Sequence, residues 1–223
     1  MRHFIEELDE LQKKLLEMGG LVESAVHNSV LALTEHNDSR AQEVLRNEAR
    51  INQMEIEVDD FAVGLMALYQ PMARDLRFLT AAIKINSDLE RMGDLAVNIV
   101  ERALSLIYQP PVKPLIDIPQ MAKLVESMVR RCLDAFVKRD AELARAVLLS
   151  DDAVDELRDG IYRELIGFME RDSRTVSRGV DLMFVARNLE RIADHATNVA
   201  EDVLYLVQGV DVRHHAEARS SLG

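Results

Sequence analysis

Leu89-Glu90-Arg91-Met92-Gly93-Asp94-Leu95-Ala96-Val97-Asn98-Ile99-Val100-Glu101 is echoed one hundred residues later by Leu189-Glu190-Arg191-Ile192-Ala193-Asp194-His195-Ala196-Thr197-Asn198-Val199-Ala200-Glu201. Seven of the thirteen positions are identical, and most of the charged ones are among them. A repeated core would keep its apolar residues; keeping the acids and the Asn points to a shared surface feature. A second echo, Leu21–Val26 against Leu124–Val129, matches at five of six positions with an offset of 103. Two echoes at nearly equal offsets mark a tandem duplication.

Composition agrees with a helical reading. Ala, Leu, Val, Glu, Arg and Met dominate, aromatics make up 4% and Trp is absent, which favours helices over sheets. Apolar residues at helical spacing (Phe4, Leu8, Leu11, Leu15, Met18, Val22) predict a first helix over 3–36, bent at Gly19-Gly20. Ser39 and Gln42 form a capping-box pattern for a second helix reaching about Tyr69. Gln70-Pro71 is a corner, with Pro71 opening a third helix that runs to about Tyr108. Three of the five prolines fall in 109–114, a natural linker. Three further helices follow: one from Asp117 to about Lys138, one from after Asp140 to about Met169, and one from about Thr175 to Gly209. The expected fold is all-α, two tandem antiparallel three-helix bundles (1–109 and 119–210) joined by a linker over 110–118, with a polar, frayed tail over 211–223.

The formal charge of −12 argues against unspecific nucleic-acid binding and against direct attraction to anionic lipid. A lone Cys132 fits a reducing compartment. The N-terminal stretch has no signal-type apolar region, and the longest apolar run, Phe61–Leu68, is eight residues, too short for a spanning helix. We therefore expect a cytoplasmic protein.

At 100° per residue, Glu90, Asp94, Asn98 and Glu101 fall within about 80° of one another, one stripe beside the core seam. Glu190, Asp194, Asn198 and Glu201 repeat it. The preceding helix of each half carries its own acids four apart, Glu55/Asp59 and Asp151/Asp155. Neighbouring helices could bring two pairs onto one patch. Clustered carboxylates repel unless a cation offsets them, and oxygen-rich clusters suit Mg²⁺, Mn²⁺ or Ca²⁺, with iron also feasible. The competing reading is a solvated acidic face, since this composition gives about seven i,i+4 acid pairs by chance. The register is also imperfect: an offset of 103 aligns Asp151/Asp155 with Glu48/Asn52 rather than Glu55/Asp59.

Other chemistry is thinly represented. No Glu-x-x-His, Walker A or nucleophile elbow occurs. His3, His27 and His36 lack partners at metal spacing, and His195, opposite Leu95 in the echo, reads as a core-edge or surface residue. Arg74 and Arg77, at the start of the third helix, could contact an anion or an acidic partner, against the plainer reading of first-turn charge pairing.

Met18-Gly19-Gly20-Leu21-Val22-Glu23, Gln70-Pro71-Met72-Ala73-Arg74-Asp75-Leu76-Arg77 and the two Leu-Glu-Arg-x-x-Asp segments together resemble the PhoU family of phosphate transport regulators, over about 4–209. The resemblance implies two similar three-helix bundles and no catalytic residues. It implies acidic motifs that hold multinuclear or single divalent metals (Mg, Mn, Zn or Fe) in some members and stay empty in others. Those motifs fall on Glu55/Asp59, Glu90/Asp94, Asp151/Asp155 and Glu190/Asp194, with Asn98, Glu101, Asn198 and Glu201 as further candidate ligands. All four pairs are kept; Met92 stands where Ile is frequent. It further implies a homodimer at the inner face of the membrane, held there through partners. It would couple the ATPase subunit of an ABC phosphate transporter to a phosphate-sensing histidine kinase and repress the phosphate regulon when phosphate is plentiful. Service to another phosphate transporter, a metal-dependent hydrolytic enzyme, and a structural helical bundle without signalling are the alternatives.

Overall fold

The computed structural model describes residues 2–209, so the predicted polar tail at 211–223 lies outside the described residues. Among the described residues seven α-helices follow one another: α1 (Arg2–Thr34), α2 (Asp38–Tyr69), α3 (Ala73–Leu106), α4 (Asp117–Lys138), α5 (Ala141–Leu148), α6 (Asp151–Arg171) and α7 (Val176–Gln208). A one-turn 3₁₀ segment, Ser173–Thr175, joins α6 to α7. The first half is a bundle of α1, α2 and α3; the second sets α4, α5 and α6 against α7.

Three local expectations are revised. The fifth predicted helix is two, α5 and α6. Ser150 Oγ donates to the Ala146 carbonyl, and Ser150 N bonds Val147 O, three residues back, tightening the backbone at the junction. The α2 cap is Asn37, whose side chain accepts from Arg40 N, so no Ser39–Gln42 box forms. Pro71 stays in the corner and α3 begins at Ala73. Gln70 and Ala73 both have positive φ there (47° and 50°), a conformation that residues other than glycine seldom adopt.

The glycine pair does not interrupt α1, which is one continuous helix. The Leu133 side chain of α4 packs over the bare backbone of Gly19, where a Cβ would overlap Leu133 Cδ1 and force that side chain to shift. Leu11, Leu15, Met18 and Val22 of α1 are fully buried. Such side chains each gain about 1.5–3 kcal/mol on burial.

The halves pack by helices of the same rank. Antiparallel α1 and α4 are linked by Arg130 to Glu23 (3.0 Å) and His27 to Glu126 (3.2 Å). Antiparallel α3 and α7 are linked by Lys84 to Asp202 (2.9 Å) and by the Arg102 guanidinium 5.1 Å over the Phe184 ring. At the two offsets each pair of contacts exchanges into the other, the signature of a pseudo-twofold axis between the halves. α2 packs on α1 and α3, and α6 on α4 and α7. Each half thus places a second-rank helix beside a third-rank helix.

Two acidic clusters as the candidate functional site

In the first half, α2 and α3 bring Glu55, Asp59, Glu90 and Asp94 into one electrostatic group. Glu55 and Glu90 titrate above the ordinary carboxylate range. Partial removal from water is the main cause for both. Asp59 and then Asp94 add to it at Glu55, and Asp94 and then Glu55 at Glu90, while Arg91 opposes the shift at each. Arg91 lies 3.6 Å from Glu90 but is largely exposed, so it compensates weakly.

Asn86, one turn before Glu90 on α3, is fully buried in the same place. Its amide nitrogen donates to the Glu55 carbonyl (2.8 Å) and to Asp59 Oδ1 (2.9 Å). Its Oδ1 is buried without a donor, and so is Oδ1 of Asn52, one turn before Glu55 on α2. A buried acceptor without a donor costs about 1–3 kcal/mol, and here it stands among carboxylates that Arg91 compensates only weakly.

In the second half, α6 and α7 bring Asp151, Asp155, Glu190 and Asp194 together. Asp194 is raised from 3.8 to about 6. It keeps access to solvent, yet the protein packed around its carboxyl is the main cause, followed by Glu190, Asp151 and Asp155. The correspondence between halves is therefore Glu55/Asp59 with Asp151/Asp155, not the Glu48/Asn52 alignment that a constant offset gives. The α5–α6 junction lies between the second echo and Asp151 and accounts for the shifted register.

The second cluster contains a cation of its own. Arg158 Nη1 lies 2.8 Å from Asp155 and 2.7 Å from Glu190, and Nη2 lies 2.9 Å from Asp159. In the first half the residue three beyond Asp59 is Ala62, fully buried. In the second half the counterpart of Asn86 is Ala186, also fully buried. Asp151, Asp194, Asn198 and Glu201 line an open groove with Arg191, His195 and Thr197. His195 Nδ1 lies 2.7 Å from Asp88 of α3, and Asn198 donates to the same Asp88 oxygen (3.3 Å), so part of this rim is tied to the other half.

Asn98 and Glu101 are exposed on α3 beyond Asp94. Among the described residues no three His, Cys, Asp or Glu side chains stand in the arrangement of a ready-made metal site. The chemistry of the donors still differs between the halves. The first cluster offers hard oxygen donors, with the orphaned Asn86 Oδ1 beside them, and suits a divalent cation. The second has two of its four carboxylates engaged by a guanidinium and does not suit one in this state. Sequence reading missed Asn86 and Arg158. Arg158 follows Asp155 at pairing distance on a helix, and Asn86 against Ala186 is a polar difference within an echoed helix. Both signals were legible.

Arg74 is exposed and Arg77 half-buried, about 20 Å along α3 from Glu90. Neither pairs with Asp75, which revises the first-turn pairing; Arg77 Nε is buried without a partner. Exposed Leu68, Met72 and Leu76 surround this corner. Among the described residues no helix is long and apolar enough to cross a membrane.

The chain was compared with known proteins. The PhoU domain matches it twice, over residues 15–103 and 118–203. A Pseudomonas putida protein named phosphate-specific transport system accessory protein PhoU homolog is 41% identical over 214 residues, 96% of this chain and 84% of that one. An Aquifex aeolicus protein of the same name is 42% identical over 208 residues, 93% of this chain and 94% of that one. The crystal structure of PhoU from Pseudomonas aeruginosa superposes with a TM-score of 0.90 at 39% identity, covering 93% of this chain and all of that one.

Proposed function

This chain belongs to the PhoU family, and from that premise we propose that it is a non-enzymatic regulatory accessory protein of a phosphate transport system. The observation that carries the reading is similarity to proteins named for that role over nearly the whole length of both chains. In this reading the protein acts by contact. It binds the ATPase subunit of an ABC phosphate transporter and a phosphate-sensing histidine kinase, works as a homodimer at the cytoplasmic face of the membrane, and represses the phosphate regulon when phosphate is plentiful. Catalysis has no part in this reading.

A divalent cation is part of the proposal. Glu55, Asp59, Glu90 and Asp94, with Asn86 Oδ1, are the residues that would hold it in the first half. When bound, the ion supplies the positive charge that the cluster lacks and fixes α2 against α3. The surface offered to a partner then changes in charge and rigidity. On a chain of net charge −12, local neutralisation eases the approach of another acidic surface.

The test is recovery of partners from a membrane extract prepared in high phosphate, with the tagged protein as bait. Transporter ATPase and histidine kinase should co-purify, and deletion of the gene should raise phosphatase expression in high phosphate. Recovery of neither partner, with phosphatase unchanged on deletion, contradicts the reading.

A further inference from the structure

The two halves repeat their acids but not what neutralises them, and that difference assigns a role to Arg158. We propose that Arg158 is the resident cation of the second cluster and excludes divalent metal from it, so that metal loading of the native chain is confined to the first cluster. The inference deepens the cation reading above and rests on it for the first half alone.

The geometry is specific. One guanidinium bridges Asp155 on its own helix and Glu190 on α7, and its second nitrogen reaches Asp159. The Arg158 side chain is only 23% exposed, and Glu190 only 20%. A guanidinium binds carboxylates through fixed, directional N–H donors and cannot lose its proton to make way for a metal. A divalent ion would therefore have to displace it, leaving the guanidinium without its partners. The first half has buried Ala62 at the corresponding place, and the cation it does have, Arg91, is largely exposed and lies 3.6 Å from Glu90 without bridging two acids. It has Asn86 instead, whose amide nitrogen is spent on Glu55 and Asp59 while its oxygen is orphaned. An orphaned acceptor is what a cation satisfies and a guanidinium-filled cluster does not provide. One half is arranged to accept a cation; the other already contains one.

The experiment uses Mn²⁺ alone, followed by calorimetry and by the electron paramagnetic resonance of free Mn²⁺. To isolate the second cluster, Arg158→Met and Arg158→Lys are each placed in the full chain carrying Glu90→Gln and Asp94→Asn. Far-UV circular dichroism confirms folding. With Arg158 present, this background should bind Mn²⁺ only weakly. Arg158→Met should create a site at least tenfold tighter, and Arg158→Lys should create less than Arg158→Met. A change of less than threefold on Arg158→Met overturns the proposal, whether the parent already binds Mn²⁺ or neither protein does. Binding to the chain with Glu90, Asp94 and Arg158 intact is read separately, so failure of the first-half cation reading is distinguishable from failure of this one.

Discussion

Set side by side, the two clusters show how a duplication can keep charge while changing its use. Each half places four acids between its second- and third-rank helices. In the first half the burden of like charge is left standing: Glu55 and Glu90 titrate high, and Asn86 presents a bare carbonyl beside them. In the second half a single arginine bridges two of the acids, and the strain falls on Asp194. Two substitutions account for the difference, Asn86 against Ala186 and Ala62 against Arg158. Identical motifs in an echo therefore do not guarantee identical sites; the neighbours one helix away decide what the motif can bind.

The largest effect should come from deepening the imbalance of the first half. Asn86→Asp places a buried carboxylate beside Asp59 and removes the donor that Asp59 uses. Without metal it should cost about 3 kcal/mol of folding stability, the scale of an unpaired buried charge. Urea denaturation measures it, and millimolar Mn²⁺ should recover part of the loss. An undiminished midpoint would break the comparison at its first term.

A smaller loss is expected from removing the compensation of the second half. Arg158→Met strands Asp155 and Glu190, and the lost charged hydrogen bonds should cost about 1 kcal/mol after solvent screening. The difference between variant and parent should shrink in high salt, because the partners are partly exposed. Denaturation at two ionic strengths decides it.

The smallest effect concerns Asp194. A carboxyl whose folded pKa is raised from 3.8 to about 6 binds an extra proton in the folded state across that window. Its contribution to stability is therefore present below about pH 4, declines as pH rises to 6, and stays low above it. Asp194→Asn should raise the melting temperature at pH 7 and leave it nearly unchanged at pH 4. Scanning calorimetry at the two values tests the sign; a lowered melting temperature at pH 7 would contradict it.

Much of this arrangement was legible in the chain. The echoes at 89/189 and 21/124 revealed the duplication, and helical spacing located the helices that carry them. The i,i+4 acids identified which faces would meet. What escaped has physical reasons. The α5–α6 junction depends on Ser150 diverting a single carbonyl, a competition too local to disturb the apolar period around it. The cap at Asn37 rather than Ser39 turns on which side chain reaches Arg40 N, a matter of one residue. The corner at Gln70–Ala73 is made by two positive φ angles on residues that seldom adopt them, which no propensity anticipates. Arg158 could be paired with Asp155 from spacing alone, but its bond to Glu190 requires knowing the register of α6 against α7. Asn86 stands on a face with the buried Ala82, Ile85 and Leu89, and only the contents of that face show that its oxygen has no donor.

The most direct test of the central claim is anomalous diffraction from crystals of the native chain grown with Mn²⁺. The account predicts density among Glu55, Asp59, Glu90 and Asp94, none at the Arg158 cluster, and Arg158 still bridging Asp155 and Glu190. Comparable density at both clusters, or density at the second alone with Arg158 swung away, would contradict it.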